Sequence, residues 1–214
     1  HPEGGRLLYS RSYLGFGLVD FQRKMFQHLE NLRRLDSNPC FYRDSHYHVP
    51  IGIAGHKIET VGTGNFEECY SEAMYVLTNG EEAPVMDDQG SAVVSKAKPE
   101  KCIYPRNSCG IHGMFQPAPA KHRKFVAFAY FYDYIVEILE MPTTDLTLDE
   151  IHARGEEICS LSHDEAMDRF RHYHNTKRID TLCADISYIY ALLAHGLNLN
   201  ADDDVVDDVG TCHR

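Results

Sequence analysis

Tryptophan is absent from the 214 residues, and so are the signatures that fix a chemistry at a glance. No two cysteines stand in the CxxC spacing of a zinc ribbon or finger. No Walker string and no dinucleotide-binding Gly-x-Gly-x-x-Gly string occurs. No apolar run approaches the roughly 18–20 residues that span a bilayer. The chain opens His1-Pro-Glu-Gly-Gly5, without the basic start and apolar stretch of a signal peptide. Any membrane anchor or targeting segment is therefore expected outside this chain. Basic residues are in deficit: 21 Lys and Arg face 32 Asp and Glu, a formal net charge of -11 with histidine neutral. That balance argues against a nucleic acid partner, because binding a polyanion depends on clustered Lys and Arg. A metal-bound nucleotide is not excluded, since local residues and the ion itself set the field it meets.

What is present describes one domain, or one lobe of a larger protein, with 43% hydrophobic residues to build a core. Seven cysteines stand at 40, 69, 102, 109, 159, 183 and 212. Buried free thiols would be the cytosolic reading. The spacing favours an oxidising compartment instead. Cys102 and Cys109 bracket the turn-rich Ile-Tyr-Pro-Arg-Asn-Ser, Cys40 follows Asn38-Pro39, and Cys69 lies in the first turn of a probable helix. An odd count leaves one thiol over, and Cys212 in the acidic tail is the natural candidate.

Short strand-like runs alternate with amphipathic helices. Arg6 to Phe16 reads as a strand entering the Gly15-Phe-Gly17 turn, and a second strand is expected near Ile111–Phe115. Leu18 to Leu35 repeats apolar residues at 18, 21, 25, 29 and 32, the spacing of one helical face. His46 to Gly64 reads as a loop with a short strand near 57–61. Asn65 and Glu68 predict a helix start, and the helix runs to about Leu77. Residues 81–101 are polar and broken by Pro84, Gly90 and Pro99, so they read as an exposed loop or insertion. Phe125 to Leu139 is almost wholly apolar, and its length, with Asp133 and Glu137 at i,i+4, favours a helix over much of it. Helices are also predicted over 146–161, over 162–174 (Ser162 and Glu165 form a capping-box pattern) and over 180–195, ended by Gly196. Residues 200–214 read as an acidic tail.

Several constellations invite a chemical reading. His46/His48 and His172/His174 have the i,i+2 spacing that points both rings one way in an extended chain. On a helix they diverge by about 200°, and neither pair has a third ligand nearby in sequence, so hydrogen-bonded or exposed histidines are the simpler account and no metal site is assigned. Gly62-Thr-Gly64 precedes a helix as a phosphate-binding turn would, although glycine there is commonplace. The run Asp202-Asp-Asp204 with Asp207-Asp208 reads as a solvated end.

Three separated strings carry more: Ser12-Tyr-Leu-Gly-Phe-Gly-Leu18; Cys109-Gly-Ile-His-Gly-Met-Phe-Gln-Pro117 followed by Phe125-Val-Ala-Phe-Ala-Tyr-Phe-Tyr-Asp133; and Cys183-Ala-Asp-Ile-Ser-Tyr-Ile-Tyr-Ala-Leu-Leu193. In this order they resemble the second lobe of the apyrase family, which comprises the ectonucleotidases and the Golgi nucleoside diphosphatases. The resemblance runs from Tyr9 to about Val209. It implies an α/β fold, the later part of an actin-like, ribonuclease-H-like lobe of a two-lobed nucleotide phosphatase. The cell-surface members stack an aromatic ring on the base at the position of Asp133, opposite an arginine at the position of Arg178. Aspartate at 133, Gly15 in place of a cysteine, and the uncharged Leu18-Val19 resemble the nucleoside diphosphatase branch.

The same resemblance implies the pairs Cys40–Cys69, Cys102–Cys109 and Cys159–Cys183, with Cys212 left over. It implies hydrolysis of a nucleoside diphosphate to monophosphate and phosphate with calcium or magnesium, in the Golgi or ER lumen or outside the cell. Tyr132, Asp133 and Arg178 would form the wall of the nucleotide site. No segment of this chain is read as the family's Asp-x-Gly phosphate loops or as its Thr/Ala-Gly segment with the general-base glutamate. No catalytic residue is therefore assigned to this chain, and the first lobe and the upstream part of the second are its expected partners. A secreted disulfide-stapled binding domain and a catalytically dead apyrase-like scaffold are the alternative readings.

Overall fold

The computed structural model describes residues 10, 12–31, 36–51, 56–79, 85–86, 92–93, 109–116, 125–126, 129–141, 146–173, 176–199 and 205–206. Helix α1 (Leu18–Asn31) buries Phe21, Met25 and Leu29, the face that the spacing predicts. Three strands follow: β1 (Ser37–Asn38), β2 (His46–Ile51) and β3 (His56–Gly62). They form one sheet in the order β1-β3-β2, with β1 parallel and β2 antiparallel to β3. Helix α2 (Phe66–Asn79) starts where Asn65 Oδ1 accepts the Glu68 N–H at 3.1 Å.

Next come the two-residue strands β4 (Val85–Met86) and β5 (Ala92–Val93), an antiparallel pair within the stretch read as an insertion. Strand β6 (Phe125–Val126) pairs in parallel with β7 (Val205–Val206). A turn of α3 (Tyr130–Tyr132) widens into a π-helical stretch over Asp133–Ile138. Helix α4 (Leu148–Cys159) and helix α5 (His163–Arg169) each begin with a reciprocal capping box, Thr147 with Glu150 and Ser162 with Glu165. A 3₁₀ stretch (Thr176–Thr181) leads into α6 (Leu182–Ala191), which widens over Leu192–Gly196.

Helix α6 is the centre. Leu182 to Ile189 are all buried, and α1, α2 and α4 pack around it. A helix that is apolar on every face has to be wrapped by others. Two disulfides hold the wrapping: Cys40–Cys69 ties the β1 region to α2, and Cys159–Cys183 ties the end of α4 to α6, with Cα separations of 4.9 and 4.8 Å. Cys109 is also disulfide-bonded. Cys102 and Cys212 lie outside the described residues.

Helix and sheet are mixed, as an α/β class requires. The short strand read near 57–61 is β3, while the strand read near 111–115 and residues 12–16 of the one read over 6–16 are corrected. Around residues 12–16 the chain turns: the Phe16 N–H reaches Tyr13 O at 3.2 Å, and Gly15 takes φ 77°, which only glycine adopts freely. Tyr9 and Arg11 lie outside the described residues. Ile111–Gly113 forms a 3₁₀ turn because the Gly113 and Met114 N–H groups bond back to Gly110 O and Ile111 O, both at 3.1 Å, with His112 at φ 57°. The helix read over 125–139 begins only at Tyr130, since Ala129 at φ 62° breaks the chain ahead of it. The segment read as a loop over 46–64 is mostly the β2–β3 hairpin.

Candidate functional site

Asp185 sits in the first turn of α6 with none of its surface exposed. A carboxylate there is unstable unless its lone pairs are filled, and four side chains from three segments fill them. Gln22 of α1 donates its amide N–H to Oδ1, and the Tyr134 hydroxyl donates to Oδ2. Thr181 Oγ1 donates to Oδ2 at 3.3 Å. Arg178 Nη2 donates to Oδ1 and Oδ2 at 3.1 and 3.0 Å. The Arg178 Nε–H donates to the Tyr134 hydroxyl oxygen at 2.9 Å, which closes a ring of three side chains.

Burial pushes the Asp185 carboxyl up to about 6, against the pull of Arg178 and the hydrogen bonds. The Arg178 pKa is raised despite its own desolvation, because Asp185 and Tyr134 favour the charged form. The two partners shift in the same direction because Asp185 is wholly buried while the arginine side chain keeps 24% of its surface. At neutral pH the pair is ionic.

Arg178 therefore gives its Nε and Nη2 to the protein, and Nη1 has no hydrogen-bond partner among the described residues. Asp133 opens the widened turn one residue before Tyr134 and is half-buried, as is Tyr132. Arg178 is held by Asp185 and Tyr134, and no ion pair joins it to Asp133 among the described residues. The three segments nonetheless meet. Tyr173 has its hydroxyl pKa raised by burial, with Asp133, Glu137, Arg178 and Asp185 as its charged neighbours. Arg178 is bonded to Tyr134, the residue after Asp133. Asp185, Tyr134 and Tyr173 were not singled out from sequence. The one signal was an acid inside the apolar run Ala184-Asp185-Ile186.

The other constellations fare differently. The Gly62-Thr-Gly64 turn has no amides to offer a phosphate. Gly62, Thr63, Gly64 and Asn65 N–H donate to Ser45, Asn38, Phe41 and Pro39 carbonyls at 2.8–3.0 Å. Its glycines serve close packing, since a Cβ on Gly62 would stand 1.9 Å from Tyr42 O and one on Gly64 2.3 Å from Cys159 O. His46 bonds Glu59 at 3.1 Å on the exposed side of β2, and His172 accepts from Arg171. His174 lies outside the described residues, as do Asp202–Asp204 and Asp207–Asp208.

One group of side chains not read from sequence has a metal-like donor set. Glu67 of α2 and His152 and Glu156 of α4 offer atoms within 4.8 Å of one another, in an exposed setting. An imidazole with two carboxylates suits a zinc-class ion rather than calcium or magnesium, which take oxygen ligands. A mixed depression of about 410 Å³ lies elsewhere, lined by Arg43, Asp44, His46, Tyr47, His163 and Asp180 among others.

A profile of the GDA1/CD39 (nucleoside phosphatase) family matches residues 6–213. No individual curated protein matches the chain.

Proposed function

We propose, because this chain belongs to the GDA1/CD39 (nucleoside phosphatase) family, that it is the base-side part of an enzyme that hydrolyses nucleoside diphosphates to monophosphate and phosphate. The observation that carries the reading is the 2.9 Å bond from the Arg178 Nε–H to the hydroxyl of Tyr134, the residue after Asp133, with an N–H-bearing Nη1 left over. Arg178 presents a flat, permanently charged guanidinium on which a base can stack. Asp133 accepts hydrogen bonds from a base edge or a ribose hydroxyl, and Tyr132 stands beside it. Guanine presents paired N–H donors to a carboxylate, so guanosine diphosphate is preferred over uridine diphosphate.

Phosphoryl transfer needs in-line positioning and charge stabilisation more than covalent chemistry. This chain's share is positioning: it fixes the nucleoside so that the terminal phosphate reaches groups outside the chain. Calcium or magnesium is the expected cofactor, neutralising phosphate charge. The donor set found among the described residues contains an imidazole and does not suit either ion, so no metal step is assigned to these side chains. The actin-like lobe, the nucleoside diphosphatase branch and a Golgi, ER or extracellular setting belong to the same proposal. The disulfides support an oxidising compartment.

The test is Asp133→Asn in the intact enzyme. A base-reading carboxylate predicts a shift of about tenfold in the ratio of kcat/KM for guanosine and uridine diphosphates, the scale of one charged hydrogen bond. An unchanged ratio, with only stability altered, would return Asp133 to a structural role.

A further inference from the structure

The buried carboxylate and the tyrosine beside Asp133 have no place in the nucleotide contacts just assigned, yet they determine where the arginine can stand. An arginine side chain has four rotatable bonds and would sample many positions if held only by its stem. Here two of its three nitrogens are bonded, one to Tyr134 and one to both oxygens of Asp185. A plane pinned at Nε and Nη2 has its orientation fixed, and Nη1 is then aimed.

The pins are themselves fixed. Asp185 is immobilised by Gln22 and Thr181 as well. Tyr134 is buried at the start of the widened turn, so its hydroxyl locks the backbone that carries Tyr132 and Asp133. One carboxylate thereby ties α1, the widened turn, the 3₁₀ stretch and α6 into a single setting.

We propose that Asp185, acting with Tyr134, is the positioning residue of the nucleobase site: it sets the plane of Arg178 and its register against Asp133 without touching the nucleotide. This rests on the reading of Arg178 as a base contact. Holding a flexible cation in its bound orientation reduces the entropy lost on binding. A lysine at 178 could not replace it, having neither a plane nor an Nε–H to pin.

The test compares Asp185→Asn, Tyr134→Phe and Arg178→Ala in the intact enzyme. It measures kcat and KM for guanosine diphosphate, and the inhibition constant of inorganic pyrophosphate, which has no base. Asp185→Asn keeps the shape and loses one acceptor and the charge. The expected result is a rise in KM of about tenfold, with kcat and the pyrophosphate constant changed less than about twofold. Tyr134→Phe should raise KM about three- to fivefold in the same pattern. A general loss of packing would lower kcat and weaken pyrophosphate together, and that result overturns the proposal, as does an unchanged KM in both variants. Arg178→Ala separates the two claims. If it leaves KM unchanged, the base-site reading itself is wrong. If it raises KM while Asp185→Asn and Tyr134→Phe do not, the site stands and the positioning role fails.

Discussion

Asp185 gives the residue scale its sharpest expectation. A carboxyl titrates near 3.8 when exposed, and burial moves this one up to about 6. Between those values the folded chain holds a proton that the unfolded chain has released. Its contribution to stability is therefore full below about pH 4 and is lost as pH rises through 6. Asp185→Asn removes that titration. The stability of the natural chain minus that of Asp185→Asn should fall from pH 4 to pH 6.5, by up to about 3 kcal/mol. Denaturant melts of both proteins across that range measure it, and a difference that stays level or grows with pH contradicts the assignment. Glycine 155 supplies a second residue-level test. A Cβ there would stand 2.3 Å from the Phe66 ring, so Gly155→Ala should separate α4 from α2 and lower Tm, at a cost of about 1–3 kcal/mol from overpacking. Gly17→Ala, with nothing within 4 Å of its Cβ, should cost less than 1 kcal/mol.

At the scale of elements, helices were more legible than strands, of which only the one near 57–61 was read, for a physical reason. Helix α5 was read from the Ser162/Glu165 box, which forms with the geometry its spacing requires, and α4 begins with a like box of Thr147 and Glu150. Thr147→Ala and Ser162→Ala should each cost about 1 kcal/mol, readable as lower midpoints in thermal melts. No change in either would show that packing alone sets these ends. The strand reading near 111–115 and the start of the helix read over 125–139 failed where single residues take positive φ. His112 and Ala129 sit in a conformation that side chains disfavour, and only the folded surroundings impose it, so no local pattern reveals it. The β2–β3 hairpin was hidden by Pro50, which suppresses a strand reading but pairs at residue Lys57 in the register. The candidate site was half legible. Asp133 and Arg178 came through the resemblance to a known family. The Asp185–Tyr134–Arg178 ring joins residues up to 51 positions apart, a distance at which periodicity says nothing.

On the scale of the whole molecule, a central apolar helix is wrapped by α1, α2 and α4 and stapled by disulfides that bind sheet to helix and helix to helix. Such staples are worth about 2–4 kcal/mol each, and the account of seven cysteines leaves one thiol. Titration in denaturant without reductant should give one thiol per chain, while a count of three or more contradicts the full pairing. On the proposed function the chain alone should release no phosphate from nucleoside diphosphates with calcium or magnesium, since the general base is expected outside it and is normally a factor of about 10²–10⁴. Release above background would relocate catalysis into these residues. The central claim is a place: the nucleoside lies against the widened turn and the 3₁₀ stretch. Photo-crosslinking the intact enzyme with an azido-substituted guanosine diphosphate, followed by peptide mapping, tests it most directly. The account predicts labels within residues 130–134 and 173–181, suppressed by excess unmodified guanosine diphosphate. Competed labels confined instead to the depression around Arg43, Tyr47 and His163 would contradict it.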